Sequence, residues 1–311
     1  MKAIVLKEAG NVENLEYVEL AEPTISEGEV LIKVKAISIN PVDIKTRNGS
    51  GIYGRIKTES PLILGWDISG VVEDSQSPDF KKRDEVFGMV NFPGHGKAYA
   101  EYVAAPAHQL ALKPKTISFE DAAAATLVAL TAYQALVHHA KIQGGQNVLV
   151  HAGSGGVGHI AVQIAKQLGA TVTGTSSSRN KDFVLGIGAD AHIDYQGFDW
   201  KSAGRTFDFV LDAIGGDNLF HSLEVTKEGG SIISIPTGLN EELTTKAAAQ
   251  GVKAYFFLVQ SSGEDMKQIA ALLESGAVKP HISKVFPFEQ MREAHLALET
   301  GRTVGKIVVT V

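Results

Sequence analysis

The feature that most constrains this fold is a glycine-rich turn between a short apolar run and a helical stretch. Residues 152–158 read Ala-Gly-Ser-Gly-Gly-Val-Gly, which places Gly153, Gly155 and Gly158 at the spacing G-x-G-x-x-G. Apolar residues precede the turn, and beyond it they recur at helical intervals up to Gly169. A strand, a glycine turn and a helix in this order predict a dinucleotide-binding Rossmann unit.

Each glycine of the turn has its own expected task. Gly153 would permit the tight turn, Gly155 the close approach of the backbone to a pyrophosphate, and Gly158 the close packing of helix on strand. Unpaired N–H groups at the start of the helix would face the pyrophosphate. The turn residues predicted to contact the dinucleotide are Gly153, Ser154, Gly155, Gly156, Val157 and Gly158.

The second strand of the unit distinguishes NAD from NADP. NAD sites carry an acid at the end of that strand, which holds the ribose 2′-hydroxyl. Here residues 173–181 read Thr-Gly-Thr-Ser-Ser-Ser-Arg-Asn-Lys, with no acid before Asp182. Hydroxyls and two cations suit a 2′-phosphate, which an acid would repel. We therefore expect NADPH, with a phosphate site at Ser176, Ser177, Arg179 and Lys181. A polar loop that caps the next helix through Ser178 is a compatible alternative.

The remaining pattern predicts an α/β chain in two domains. Strands and helices alternate from Asn147 to about Phe257, which indicates a doubly wound parallel sheet with helices on both faces. Short strands separated by Gly, Pro and Asn predict a mostly-β, barrel-like domain before it, and a strand-rich tail could pair back with that domain. The expected limits are 1–117, completed by about 278–311, and 118–277 for the inserted Rossmann domain.

Composition excludes several classes of function. The chain has no cysteine, so disulfides, thiolate zinc sites and cysteine nucleophiles are ruled out. A formal charge of −6 argues against nucleic-acid binding. No apolar run approaches the ~18 residues of a membrane span, and Met1–Leu6 reads as a strand rather than a signal peptide. The expected location is the cytoplasm, although a removed organelle address would leave no trace.

Five short stretches carry a resemblance to a known family. The chain resembles the medium-chain dehydrogenase/reductase superfamily over essentially its whole length. Within it, the chain is similar to the zinc-free quinone oxidoreductase branch, which includes zeta-crystallin and the alkenal/enone reductases. The resemblance implies a GroES-like first domain. The stretches are Ile-Asn-Pro-Val-Asp (39–43), Leu-Gly-Trp-Asp-Ile-Ser-Gly (64–70), Ala-Tyr-Ala-Glu-Tyr-Val (98–103), Leu-Thr-Ala-Tyr-Gln-Ala-Leu (130–136) and Gly-Arg-Thr-Val-Gly-Lys (301–306).

The chain differs from the alcohol dehydrogenases of that superfamily at the positions that bind zinc. Those enzymes hold catalytic zinc with a Cys and a His-Glu pair, and Asn40 and Trp66-Asp67 stand at these places here. The four-cysteine structural zinc lobe is absent too, so we expect no metal. Without a Lewis acid, the resemblance implies hydride transfer from NADPH to a quinone or an α,β-unsaturated carbonyl whose oxygen is polarised by hydrogen bonds.

By the same resemblance, the catalytic candidates are Asn40 and Tyr53. Asn40 would donate to the substrate oxygen, and Tyr53 would orient the substrate or donate a proton. Ordinary alternatives remain for both, because Asn before Pro is a common turn residue and Tyr53 lies in a glycine-rich loop. Lys45 stands where relatives often have a second tyrosine, which favours a different or smaller acceptor.

The resemblance also implies cofactor contacts beyond the turn. Ser176, Lys181 and Tyr195 would lie near the 2′-phosphate and adenine, and Arg179 is added from its charge alone. The residues expected near the pyrophosphate, the nicotinamide or its ribose are Thr131, Ile214, Gly215, Ile235, Phe257 and Val259.

The apolar run from Tyr255 to Val259 bears on the partners of the chain. It would form the last strand of the Rossmann sheet, where an apolar edge invites self-pairing into a homodimer unless a helix or loop covers it. The other expected partner is a small-molecule quinone or enone. An alternative function is a non-catalytic protein that binds NADPH as a structural or sensing ligand, as crystallin-type relatives suggest.

Overall fold

The computed structural model describes residues 1–311, which divide into two compact units. The first unit comprises residues 1–130 and 259–311, and the second comprises residues 131–258. No helix in the chain combines the length and apolar character that crossing a membrane requires.

Fifteen strands and ten helices make up the two units. In chain order they are β1 (Lys2–Leu6), β2 (Leu15–Glu19), β3 (Glu29–Ile39), α1 (Pro41–Arg47), α2 (Tyr53–Ile56), β4 (Asp67–Ser75), β5 (Glu85–Met89), β6 (Tyr102–Pro106), β7 (Ala111–Leu112), α3 (Phe119–Ala124), α4 (Leu127–Tyr133), β8 (Asn147–Val150), α5 (Gly156–Gln167), β9 (Thr171–Ser176), α6 (Lys181–Gly186), β10 (Ala191–Asp194), β11 (Phe207–Asp212), α7 (Asn218–Val225), β12 (Thr226–Ser234), α8 (Glu241–Ala249), β13 (Lys253–Phe256), α9 (Gly263–Glu274), β14 (Ile282–Pro287), α10 (Met291–Glu299) and β15 (Lys306–Thr310).

The first unit is built on a seven-stranded sheet. Its order is β14-β15-β3-β4-β5-β7, with β6 paired to β3, and all of its pairs except β14 with β15 are antiparallel. The apolar strand β15 joins β3 antiparallel, with Val309 opposite Ile37. Both side chains are fully buried, which explains why the tail returns to the first part of the chain. The expected mostly-β first domain is confirmed, and the tail lies in the same unit.

Two segments that the sequence assigned to the Rossmann domain belong to the first unit. Helix α3 packs on β3, β4 and β15, and its buried residues Ala123 and Ala124 cluster with Ala36 and Val308. Helix α9 packs on β7, and a Cβ at Gly263 would lie 2.5 Å from the carbonyl oxygen of His108. Small residues at these contacts let helix and sheet approach closely.

The alanine-rich segment from Ser118 to His138 does not form one continuous helix. Ser118 is the N-cap of α3, and its hydroxyl accepts a hydrogen bond from the N–H of Asp121 at 3.0 Å. The helix nevertheless ends at Ala124, resumes at α4, and takes π-helical turns over Gln134–His139. Alanine-rich sequence alone does not mark such breaks.

The second unit contains a six-stranded parallel sheet. Its order is β10-β9-β8-β11-β12-β13, which is the doubly wound arrangement of a Rossmann fold and confirms that expectation. Leu149, Val210 and Ile232, on three adjacent strands, are buried in one apolar cluster. The strand order reverses between β8 and β11, and ligands of such sheets bind beyond the carboxyl ends of the strands at that point.

Candidate functional site

The glycine-rich turn between β8 and α5 is tightly constrained by its own backbone. A Cβ at Gly158 would stand 2.0 Å from the carbonyl oxygen of Ala152, so helix and strand approach more closely than any side chain allows. The left-handed residue of the turn is Ala152, with φ 52°, rather than Gly153. Gly153 instead lies at a close approach to β9: its N–H donates to the carbonyl of Thr175 at 2.7 Å, and a Cβ there would lie 3.3 Å from the Cα of Gly174.

The N-terminus of helix α5 is suited to binding an anion. Its N-cap is Gly155, in an extended conformation, and no side chain caps the helix. N–H groups without a capping side chain, together with the helix dipole, favour a phosphate at this end. The neighbouring Ser154 accepts a hydrogen bond from the side-chain amide of Asn180 at 3.1 Å. This bond connects the glycine-rich turn to the segment after β9.

The segment after β9 carries the residues predicted to bind the 2′-phosphate. Strand β9 runs to Ser176, and one 3-10 turn over Ser178–Asn180 follows before α6 begins at Lys181. The expected N-cap role of Ser178 is wrong, because the intervening turn makes Asn180 the residue that precedes α6. Arg179 and Lys181 are both exposed, and no acid lies between Ser176 and Lys181.

Ser176 has a partner that the sequence did not indicate. Its Oγ lies 2.8 Å from Nε2 of His192 on the adjacent strand β10, and the Ser176 side chain is nearly buried. Burial lowers the pKa of His192, the charge of Lys181 lowers it further, and Asp194 opposes both. Tyr195 follows β10, and its side chain is exposed. The contact runs across two strands, so no spacing along the chain reveals it.

A buried carboxylate at the end of β11 shapes the next part of the site. Oδ1 of Asp212 accepts hydrogen bonds from the N–H groups of Ile214 at 2.9 Å and Gly215 at 2.8 Å. Its other oxygen accepts from Asn218 and Ser222, at 2.9 and 2.8 Å. Asp212 therefore holds the turn on which Ile214 is exposed and Gly215 has a positive φ of 76°. An acid at the end of a buried strand is a signal that sequence reasoning could have used.

The other predicted cofactor residues lie in several places. Ile235 follows β12, and its N–H donates to the carbonyl of Asp212 at 3.0 Å. Phe257 follows β13, and its ring lies 4.5 Å from that of His139. Thr131 is buried within α4, and Val259 is buried in the first unit rather than the second.

In the first unit, Asn40 lies between β3 and α1 and is fully buried. Its side-chain amide donates to Asp67 at 2.8 Å and to the carbonyl of Ser38 at 3.5 Å, and its oxygen accepts from the ammonium of Lys306. Both N–H groups of the amide are thus used within the protein. A direct bond from Asn40 to a substrate oxygen would require one of them to be given up.

A chain of buried polar side chains continues from this point. The carboxylate of Asp43 accepts from the N–H of Asn40 at 2.8 Å and from the hydroxyl of Tyr99 at 2.9 Å. The Tyr99 oxygen lies 2.9 Å from Nε2 of His295, whose Nδ1 lies 3.3 Å from Arg47. Because the guanidinium can only donate, Nδ1 accepts, and the proton of the imidazole is on Nε2. The directions of all bonds in this chain are therefore defined.

The burial of this chain shifts its titratable groups. Burial, with the charge of Asp67 second, raises the pKa of Asp43 to about 7. Burial, with the cation of Arg47 second, lowers the pKa of His295 to about 3. Burial also lowers the pKa of Lys306, against the attraction of Asp67 and Asp43. The unit thus holds His295 in its neutral form over the ordinary pH range.

Three other residues singled out from the sequence also lie in the first unit. Tyr53 begins the short helix α2 and is half-buried, and Lys45 lies in α1. Trp66 is fully buried and donates from Nε1 to the carbonyl of Gly94 at 2.7 Å. No three or more His, Cys, Asp or Glu side chains form a group that could hold a metal ion.

Comparison with protein families gives two matches. Residues 26–115 match the family described as "Alcohol dehydrogenase GroES-like domain". Residues 187–309 match the family described as "Zinc-binding dehydrogenase". Together they cover more than half of the chain.

Three relatives show how far the similarity extends. The chain is 38% identical to "2-methylene-furan-3-one reductase" of Solanum lycopersicum, over 99% of this chain and 79% of the relative. It is 36% identical to "NADPH-dependent alkenal/one oxidoreductase, chloroplastic" of Arabidopsis thaliana, with the same coverage of both chains. Among solved structures, the quinone oxidoreductase from Coxiella burnetii superposes with a TM-score of 0.93 at 37% identity, covering 100% of this chain and 99% of that one.

Proposed function

The chain belongs to the zinc-free quinone oxidoreductase branch of the medium-chain dehydrogenase/reductase superfamily, and on this basis we propose that it reduces quinones or α,β-unsaturated carbonyls with NADPH. The family makes the chain an oxidoreductase that uses a nicotinamide dinucleotide. What we propose beyond this is that the cofactor is NADPH and that the acceptor is a quinone or an α,β-unsaturated carbonyl.

The glycine-rich turn is the observation that carries this proposal. At Gly158 no Cβ fits, and the uncapped start of α5 offers N–H groups and a helix dipole to a pyrophosphate. The residues present therefore fit the dinucleotide, which when bound supplies a hydride from its nicotinamide. Gly153 to Gly158 would hold the pyrophosphate, and the turn held by Asp212 would present Ile214 and Gly215.

The segment from Ser176 to Lys181 supports NADPH over NADH. Two exposed cations follow β9, and no acid stands there to repel a 2′-phosphate or to bind a ribose hydroxyl. The resemblance to an NADPH-dependent alkenal/one oxidoreductase agrees with this choice. Ser176, Ser177, Arg179, Lys181 and Tyr195 are thus proposed to surround the phosphate and adenine.

For the substrate, the two candidates receive different roles. Tyr53 is half-buried and has a hydroxyl that can orient a carbonyl or supply a proton. Asn40 is committed to Asp67 and Lys306, so we propose that it positions the end of β3 and that donation to a substrate is secondary. The hydride acceptor must then already be electrophilic, which quinones and enones are.

A panel of acceptors tests the proposal. The purified protein is mixed with NADPH and with small quinones or enones in turn, and the loss of NADPH absorbance is followed. Oxidation of NADPH that depends on both protein and acceptor is expected. If NADPH binds but no acceptor oxidises it, the protein is a non-catalytic NADPH-binding protein instead.

We propose, in addition, a homodimer in the cytoplasm. Strand β13 is the last in the order of its sheet, and Phe256 on it is 42% exposed. An apolar edge strand of this kind pairs readily with a second copy. Light scattering after size-exclusion chromatography should give twice the chain mass, and a Phe256→Lys variant should give the single mass.

A further inference from the structure

The contact between His192 and Ser176 has a defined direction. The hydroxyl of Ser176 donates to the carbonyl of Ser177 at 3.1 Å. Since a hydroxyl has one proton, its oxygen accepts in its other contact, and Nε2 of His192 at 2.8 Å is the donor. The imidazole thereby holds the Ser176 oxygen in place, and the hydroxyl proton can turn from the carbonyl of Ser177 to a phosphate oxygen.

We propose that His192 is a positioning residue for Ser176 and that its protonation strengthens the binding of NADPH but not of NADH. The inference rests on the proposed function, which places the 2′-phosphate beside Ser176. The sequence alone indicates phosphate binding by Arg179 and Lys181, and His192 is an additional residue that it does not indicate.

The charges around His192 decide its state in the free protein. Strand β9, which pairs with β10, carries no charged side chain. The 3-10 turn contributes Arg179, and the start of α6 contributes Lys181 and Asp182. On its own strand, Asp194 favours the charged ring, whereas burial and Lys181 favour the neutral ring. Asp190, before the strand, is paired with Lys166 at 2.7 Å.

A bound 2′-phosphate changes this balance. It brings a charge of about −1.5 to −2 at neutral pH, next to the hydroxyl that His192 holds. That charge favours the imidazolium, whose Nε2–H still donates to Ser176 and whose positive charge attracts the phosphate. Binding of NADPH should therefore take up a proton, and binding of NADH, which lacks the phosphate, should not.

Calorimetric titration of the intact protein with NADPH and NADH tests this directly. The variant His192→Gln keeps a side-chain N–H donor but cannot titrate. At about pH 6 the wild type should bind NADPH roughly tenfold more tightly than the variant. At about pH 8.5 the NADPH dissociation constants of the two proteins should agree to within about twofold. The affinities for NADH should be equal at both pH values. The phosphate's own titration, near pH 6, is common to both proteins and cancels in the ratio.

A control variant and a measurement of proton uptake complete the test. His138→Gln, a change at an exposed histidine of the same unit, should behave as the wild type. In the wild type alone, the binding enthalpy of NADPH at about pH 7.5 should depend on the ionisation enthalpy of the buffer in the sense of proton uptake. An absence of uptake, or a wild-type to H192Q ratio that is the same at both pH values, would overturn the inference. If the wild type binds NADPH no more tightly than NADH, the proposed NADPH preference itself fails.

Discussion

The side-chain amide of Asn40 donates to the carboxylate of Asp67 over 2.8 Å, and neither residue has exposed surface. The ammonium of Lys306 donates to the oxygen of the same amide and to the carbonyl of Ile39 at 2.9 Å. Asn40 thus lies between a buried acid and a buried base and satisfies both. Removing one member of such a group leaves charged or polar atoms buried without partners, which is costly.

The variant Asn40→Ala should lower the free energy of unfolding by about 3 kcal/mol, because Asp67 and Lys306 each lose a bond in a site closed to water. Urea unfolding measures this. Asn11→Ala is the matched control, since Asn11 is exposed and its side chain caps nothing. Turnover should fall in Asn40→Ala while the affinity for NADPH stays the same. Equal stability of the two variants would contradict the buried network.

The variant Gly158→Ala should impair both folding and dinucleotide binding. Its methyl group would lie 2.0 Å from the carbonyl oxygen of Ala152, so either the helix or the turn must move. A loss of about 1–3 kcal/mol is expected, together with weaker NADPH binding in a fluorescence titration. Gly186→Ala, at the end of α6 with nothing within 4 Å of its Cβ, is the control and should keep both properties. Normal NADPH affinity in Gly158→Ala would show that the turn is not the pyrophosphate site.

The variant Lys181→Ala should weaken the binding of NADPH about tenfold and that of NADH by much less, because only NADPH presents a 2′-phosphate to the ammonium group. Dissociation constants for both dinucleotides measure this. Lys201→Ala removes another exposed lysine of the second unit and should leave both constants unchanged. Equal weakening of NADPH and NADH by Lys181→Ala would remove Lys181 from the phosphate site.

Much of the second unit could be predicted because local patterns determine it. The sequence predicts alternating strands and helices from Asn147 to about Phe257, and this segment forms the six-stranded parallel sheet. The glycine spacing likewise marks a close approach of helix and strand, which the surroundings of Gly158 show. Such features depend on residues that are neighbours along the chain, so the sequence displays them directly.

The polar contacts could not be predicted, because they join distant parts of the chain. Tyr99 and His295 are separated by 196 positions, yet their side chains are 2.9 Å apart. His192 meets Ser176 only because β9 and β10 are adjacent in the sheet. The sequence marks Asn40 only as the residue at the place of a zinc ligand, whereas its bonds to Asp67 and Lys306 depend on the fold.

The neutral state of His295 predicts a pH dependence of stability. Its pKa is about 3 in the folded protein, below its usual value of 6.5, so the unfolded chain binds the proton more readily. The stability that His295 contributes is therefore complete above pH 6.5 and is lost as the pH falls towards 3. Asp43 acts in the opposite sense, because its raised pKa of about 7 makes the folded protein hold the proton longer.

The variant His295→Gln isolates the histidine, since the amide can accept from Arg47 and donate to Tyr99 without titrating. Between about pH 4.5 and about pH 6.5 the stability difference, wild type minus variant, should rise by up to about 1.4 kcal/mol per pH unit, and then level off. Urea unfolding across this range measures it, with the exposed His138→Gln as the control. The contribution of Asp43 is common to both proteins and cancels in the difference. Below pH 6.5 acid should therefore cost the variant less stability than it costs the wild type, because the variant has no imidazole at position 295 that takes up a proton on unfolding. A constant difference across the whole range would mean that His295 is not held neutral by its burial and by Arg47.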